Sequence, residues 1–523
     1  MRLRTIARFS LAVLIGALTG CAAEAPPPPM TGVIIPVRDT APSTPQHVRE
    51  APPASAPPRP YHFPRVVWSE LPGGLKVATL PSKALPLVQI RVVIGAGRAA
   101  DGEHTGVAVL TGQLLKDGGA GAMSSRELVT RVEALGGKLS IRTEMDATTL
   151  ALAVTRDHLG EALDLLGAVV QKPLFSPAEL DKLKKREIDR LADAARTLGT
   201  WGASMMLYRD LFSLPSEHHP YASFSATPDD EKKLTAADCR AFHKRFYVPR
   251  NTLVIVAGDT TPEATQALVQ KAFGGFQGGE APVVSFTDPL PPEGRKITVV
   301  DRPKSSQSDV FVGALGPAPA DPSFAAFAVA NQILGGGMTG RLFAEVREKQ
   351  SLAYSTRSTV TDLAHGPSVL VAYAGTQTAK TGLALAGLLD NLERLARTAP
   401  DSAEVETAQR YLADSFAVRL ETLGEVAEEV ARLHVLGLPD DHDERYRKEL
   451  AEITPALALK AASDHLRAGH EIIVVAGDAA VVGPMLSHYG EVKVVDPTRD
   501  FARVRTIPMD ASAPLEVPRQ EGR

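Results

Sequence analysis

Two cysteines in 523 residues, Cys21 and Cys239, are too few for a disulfide-knit scaffold. Long apolar runs are scarce as well. The strongest at the N-terminus, Phe9 to Leu18, has about ten residues and is too short to span a bilayer. Nor is there an excess of basic charge: 57 Lys and Arg face 61 Asp and Glu, for a formal charge of −4. With no basic stripe along the chain, nucleic acid is excluded as the expected partner. The remainder is 44 % hydrophobic and 23 % charged, ordinary for a globular protein, and long enough for two or three domains with sizeable cores.

The N-terminus has the layout of a targeting segment over residues 1–20. Arg2, Arg4 and Arg8 precede the apolar run, which ends in Leu18-Thr19-Gly20-Cys21. That tetrapeptide resembles a bacterial lipobox, which implies cleavage before Cys21 and acylation of its thiol. Acyl chains contribute about 0.8 kcal/mol per buried CH₂, and two or more anchor a protein stably. Ala22 after the cysteine favours the outer over the inner membrane by the same resemblance. The expected location is therefore the bacterial envelope, lipid-anchored and facing the periplasm. Residues 21–64 follow as a tether, with thirteen prolines between positions 22 and 64. So proline-rich a stretch favours extended polyproline II and cannot bury a core.

Beyond the tether the chain repeats itself. Leu253-Val254-Ile255-Val256-Ala257-Gly258-Asp259 recurs 219 residues later as Ile472-Ile473-Val474-Val475-Ala476-Gly477-Asp478. Each copy is an apolar strand ending in Gly-Asp. Upstream, Leu87 to Gly97 predicts a strand leading to a helix near 106–116, and Ser308 to Gly316 a strand leading to a helix near 322–334. A period this long means duplicated domains. The expected boundaries are 65–279 and 295–497, joined by a Gly/Pro-rich linker at 280–294, with 498–523 as a polar tail.

Within the first half, Ser124-Ser125-Arg126-Glu127 is a capping box and Gly136-Gly137 a helix stop. Strands at 138–143 and 147–155 follow, then a helix near 159–171. Ser176-Pro177-Ala178-Glu179 opens a long helix with a cap, a proline at the first helical position and a first-turn carboxylate. Two strands across a tight turn pair antiparallel, so the fold class is α+β, with helices on one face of each sheet. Cys239 falls in a helical stretch as a small buried hydrophobe.

These features resemble the pitrilysin (insulinase) family of zinc peptidases over roughly residues 65–497. Gly95-Ala96-Gly97-Arg98 through Gly106-Val107-Ala108 is similar to the approach to its inverted zinc motif. Phe246-Tyr247-Val248-Pro249-Arg250-Asn251 is similar to its Tyr-x-Pro-x-Asn segment, and His219-Pro220-Tyr221 to another common tripeptide. The resemblance implies two domains forming half of a clam-like chamber.

It also exposes a deficit. Where such a peptidase carries His-x-x-Glu-His, this chain has Val109-Leu110-Thr111-Gly112-Gln113. Zinc hydrolysis needs three protein ligands and a general base. Val109 and Gly112 offer no donor, and the Gln113 carboxamide is a poor substitute for imidazole. The third-ligand position aligns with Ala192; Glu187 and Asp189 nearby are expected to be solvated. His218-His219 point apart, and His104 has no partner at ligand spacing. No metal is expected on this chain.

In the second half, Gly335-Gly336-Gly337-Met338-Thr339-Gly340-Arg341-Leu342-Phe343 leads to Glu345-Val346-Arg347-Glu348 and Leu352-Ala353-Tyr354. This resembles the family's second-domain pattern, in which an Arg and a Tyr seven residues later hold the substrate carbonyl. Those roles fall to Arg347 and Tyr354, since donors fixed at developing negative charge strengthen in the transition state. The glycine run is expected to give conformational play between helices. The expected function is a zinc-less subunit, acting in trans with a zinc-bearing His-x-x-Glu-His homologue on unfolded peptides. Two readings stand beside it: a structural scaffold subunit of an envelope complex, and an autonomous zinc endopeptidase.

Overall fold

The computed structural model describes residues 62–215, 218–290 and 292–516. The expected targeting segment, Cys21 and nearly all of the tether lie outside these residues. The described residues all fall in one compact unit.

Six strands arise from the first half: β1 (Val67–Glu70), β2 (Lys76–Pro81), β3 (Leu87–Ile94), β4 (Ser140–Thr143), β5 (Thr148–Thr155) and β6 (Thr252–Gly258). Its helices are α1 (Val107–Asp117), α2 (Ser125–Ala134), α3 (Leu159–Gln171), α4 (Pro177–Thr197), α5 (Gly199–Leu211), α6 (Pro228–Lys233), α7 (Ala236–Phe246) and α8 (Pro262–Phe273). The second half supplies β7 (Lys296–Asp301), β8 (Gln307–Leu315), β9 (Ala353–Thr361), β10 (Val369–Gln377), β11 (Ile472–Gly477), β12 (Val492–Asp496) and β13 (Ala502–Ile507). Its helices are α9 (Phe324–Gly335), α10 (Thr381–Arg397), α11 (Ser402–Arg419), α12 (Leu423–Val435), α13 (His442–Glu452), α14 (Pro455–His465) and α15 (Ala479–Ser487). A π-helical segment, Leu342–Lys349, precedes β9.

The duplication is written in the strand order. The first sheet runs β1-β2-β6-β3-β5-β4, and the second β13-β12-β7-β11-β8-β10-β9. Matching β2 to β7, β3 to β8, β4 to β9, β5 to β10 and β6 to β11 superimposes the two orders. Both repeated Gly-Asp strands are central and wholly buried, which is why they read as unbroken apolar runs. Antiparallel pairs predominate; β2–β6, β7–β11 and β7–β12 are parallel. The fold is α+β.

Local signals act much as their chemistry requires. Ser124 and Glu127 close the reciprocal capping box, with the Ser124 N–H donating to Glu127 Oε2 at 2.8 Å. At α4 the proline does the work of starting the helix, because Ser176 makes no side-chain cap bond.

Each half gathers most of its helices on one face of its own sheet, giving two main cores. The opposite faces are covered by exchange. Met205, Leu207 and Leu211 of α5 pack on Val300, Phe311 and Val474 of the second sheet. Reciprocally, Val426, Ala427 and Val430 of α12 pack on Ala78, Val93 and Ile255 of the first.

One boundary is corrected. Residues 498–507 are no polar tail: β13 pairs with β12, and Phe501 is buried 5.6 Å from Trp201. As an outermost strand exposed along nearly its whole length, β13 needs no apolar alternation, so its sequence looks like a tail. Within the glycine run, Gly335 also has a packing role. A Cβ on Gly335 would lie 2.8 Å from the Ser358 backbone nitrogen, so close approach of α9 to β9 is what requires it.

Candidate functional site

The positions where a zinc motif is expected lie on α1, packed between β4 and the helices α4 and α7. Val109 and Gln113 are half-buried and Gly112 is buried. A Cβ at Gly112 would meet Thr143 Oγ1 of β4 at 2.7 Å, so the sheet fills the space where a side chain would project. The Gln113 Oε1 is buried without a hydrogen-bond partner. Ala192 on α4 is half-buried and brings no donor atom. Helix α4 packs against α1, but the side chains at these positions do not fit a metal. Among the described residues, no group of three or more His, Cys, Asp or Glu is placed to hold an ion.

The other candidate donors are engaged elsewhere. Glu187 is buried, contrary to the expectation of solvation, and accepts from Arg190 Nε at 2.9 Å. Only Asp189 is exposed as expected. His219 is buried, its Nδ1 accepting from the Tyr221 N–H at 3.0 Å and its ring stacked on Phe212. His218 Nε2 lies 2.9 Å from Ser223 Oγ. His104 is exposed. Cys239 is buried, as its sequence context predicts, and burial pushes its thiol up to about 11.

Beneath α1 lies an acidic cluster that the sequence did not reveal. The Asp101 carboxylate accepts from the N–H groups of Gly106 and Ala108 at 2.7 and 2.8 Å, capping the helix. Burial raises it to about 7 despite those bonds. Burial, reinforced by Glu187 and Asp101, raises Glu231 to about 8. The fold thus keeps a proton on Glu231 that the unfolded chain releases near pH 4.5, and stability falls as pH rises from there toward 8. Glu231→Gln is expected to stabilise the protein by about 2 kcal/mol at pH 8.5 and by almost nothing at pH 4. Thermal melts at both values check this; an equal gain at both would refute it.

The second half presents Arg347 and Tyr354 at the outer edge of its sheet. Arg347 lies near the end of the π-helical segment, its guanidinium 4.6 Å over the Phe343 ring and its Nε 3.5 Å from Glu348 Oε1. Tyr354 is 54 % exposed. It is also the extra residue of a β-bulge: Ser355 pairs with Gly375 and Ala353 with Thr376, leaving Tyr354 between them. Bulges re-aim side chains, and this one turns the phenol onto Gly375. A Cβ on Gly375 would be 2.8 Å from the hydroxyl oxygens of both Tyr354 and Tyr373, so the glycine lets two phenols converge. Tyr354 Oη stands 3.5 Å from Gln307 Oε1, and Tyr373 donates to Asp309 Oδ1 at 2.9 Å. Arg357 stacks on the Tyr373 ring at 4.1 Å.

Arg347 and Tyr354 make no polar contact with each other among the described residues. Both are open to an incoming group. Gln307, Tyr373, Asp309 and Gly375 went unnoticed in the sequence because register alone brings them beside Tyr354.

Residues 76–213 match the family model described as insulinase (peptidase family M16), and residues 233–412 that described as the peptidase M16 inactive domain. The chain belongs to the insulinase family. Within it, an uncharacterized zinc protease of Mycobacterium bovis is 27 % identical over 357 residues, 67 % of this chain and 79 % of that protein. The non-peptidase homolog YmxG of Helicobacter pylori is 23 % identical over 385 residues, 72 % of this chain and 85 % of its own. A crystal structure of a peptidase M16 inactive domain from Pseudomonas fluorescens matches with a TM-score of 0.73 at 26 % identity, covering 79 % of this chain and 98 % of that one. This insulinase-family chain therefore resembles members named as proteases and members named as inactive. Its own α1 offers no metal donor at Val109 or Gly112.

Proposed function

We propose that this chain is the zinc-less subunit of a pitrilysin-type oligopeptidase, lending Arg347 and Tyr354 in trans to a zinc-bearing His-x-x-Glu-His homologue. The observation that carries the reading is the bulged, exposed Tyr354 on an edge strand, set against an α1 face that offers no metal donors. A phenol and a guanidinium at this edge suit donation to a peptide carbonyl oxygen. Their bonds strengthen as that oxygen gains negative charge. Among the described residues strand β9 pairs only with β10, which leaves an edge to which an extended, unfolded peptide can add, read through its backbone. Metal chemistry belongs to the partner. In this reading the subunit works at the outer membrane, facing the periplasm on a lipid-anchored Cys21.

Purified alone, the protein should carry no stoichiometric zinc by elemental analysis. Mixed with the motif-bearing homologue, Tyr354→Phe and Arg347→Ala should each lower turnover about tenfold to a hundredfold without preventing co-elution. Turnover unchanged in both variants would instead favour a scaffold subunit.

A further inference from the structure

At the far end of β9 from Tyr354, seven residues and so ~23 Å along the strand, the two halves enclose a cavity of about 490 Å³. Its walls come from the β4–β5 turn, α5, the end of β9 and α12. The rings of Tyr208 and Phe224, with centroids 5.1 Å apart, form an apolar side together with Met145 and Leu363.

Arg98 projects into this space. Its backbone is fixed by an N–H bond to the Glu144 carbonyl at 2.8 Å, and its guanidinium carbon lies 5.6 Å from the centre of the Phe224 ring. Its Nε is buried with no hydrogen-bond partner; among the described residues no carboxylate reaches it at ion-pair distance, although Asp101, Glu144 and Asp146 attract it from farther off. The other charges of the wall are engaged. Asp362 meets Arg432 at 3.0 Å, and Glu428 is shared by Arg91 and Arg142 at 3.2 Å each. Asp146 accepts from the Tyr221 hydroxyl and from the Ala364 N–H. Glu144 stands at the exposed rim beside Arg142. Among the described residues this guanidinium is the one charged group of the wall whose side chain makes no hydrogen bond or ion pair.

We propose that the cavity binds an apolar monocarboxylate, with its two oxygens on the Arg98 fork and its hydrocarbon body against Tyr208 and Phe224. A planar guanidinium matches a carboxylate in a bidentate pair. The carboxylates of Glu144, Asp146, Asp362 and Glu428 in the same wall oppose added negative charge, and a dianion such as phosphate more than a monoanion, while the apolar side disfavours a fully hydrophilic ligand. Two sources share this chemistry: the C-terminal residue of a peptide and a free aliphatic acid. The site is independent of the Arg347–Tyr354 reading, and its test needs no partner subunit.

Titration calorimetry on the full chain would compare N-acetyl-Ala-Ala-Phe, its C-terminal amide, and octanoate. An acid is expected to bind at least about tenfold more tightly than the amide. Tighter binding of the peptide acid than of octanoate identifies a chain terminus as the source; the reverse identifies a free acid. Arg98→Gln should abolish the acid-over-amide preference, and Arg98→Lys should keep part of it. Equal binding of acid and amide, no binding of either acid, or unaltered acid affinity in Arg98→Gln would overturn the proposal. If Arg98→Gln does not fold, Val435→Trp supplies the decision. It fills the cavity and leaves Arg98 in place, so acid binding retained in that variant refutes the site.

Discussion

Gly258→Ala is expected to cost about 3–5 kcal/mol of stability, whereas the repeat-equivalent Gly477→Ala should cost only about 1 kcal/mol. The two glycines end the same repeated strand, yet their surroundings differ. Gly258 has φ +137°, and a Cβ there would run into the Leu87 carbonyl oxygen of β3, a backbone atom that cannot turn aside. At Gly477 the obstacle is Ser308 Oγ at 2.6 Å. That hydroxyl can rotate at the cost of its bond with Thr381 Oγ1, which leaves Ser308 Cβ at 3.2 Å, a tight contact that a small shift relieves. Urea unfolding of both variants measures the difference. Comparable losses would mean that the duplication preserved the turn geometry along with the sequence, against the structure.

Rebuilding the family motif by Val109→His, Gly112→Glu and Gln113→His should leave zinc well below one ion per chain. Three protein donors are needed for a stable site, and Ala192 supplies none. The new glutamate would also press on Thr143 Oγ1, which already sits 2.7 Å from where its Cβ must go. Overpacking of that kind costs about 1–3 kcal/mol. Adding Ala192→Glu and Thr143→Ala should bring zinc toward stoichiometry, as read by elemental analysis after dialysis. Full loading of the three-residue variant would show that α1 retains a usable donor that neither the sequence nor the packing reveals. Failure of the five-residue variant would mean that α4 and α1 are set too far apart for a shared ion.

The duplication and the α+β class were legible because buried central strands leave dense apolar runs, and β6 and β11 are wholly enclosed. The helix at 107–117 and the strands at 140–143 and 148–155 likewise follow from periodicity and turn chemistry. What escaped notice depends on register or on distant partners. The apolar α5 announces that it is buried, but nothing in Met205, Met206 and Leu207 says under which sheet. Tyr354 occupies a bulge, and a bulge belongs to a pair of strands, not to either strand's sequence. Glu187 sits on a helix rich in charge, so its burial against Arg190 carried no signal. The missing zinc donors, by contrast, are an identity of side chains and needed no coordinates to see. The structure adds how Thr143 has closed the space.

The crossed placement of α5 and α12 ties the two halves more firmly than their linker does. A single half made alone would present one naked sheet surface and one stray greasy helix with nowhere to go. Each half is thus expected to need the other in order to fold, which makes the repeat unit of this sequence smaller than its expected folding unit. Any rearrangement that opened the chain at residues 280–294 would first have to lift both helices from their borrowed seats.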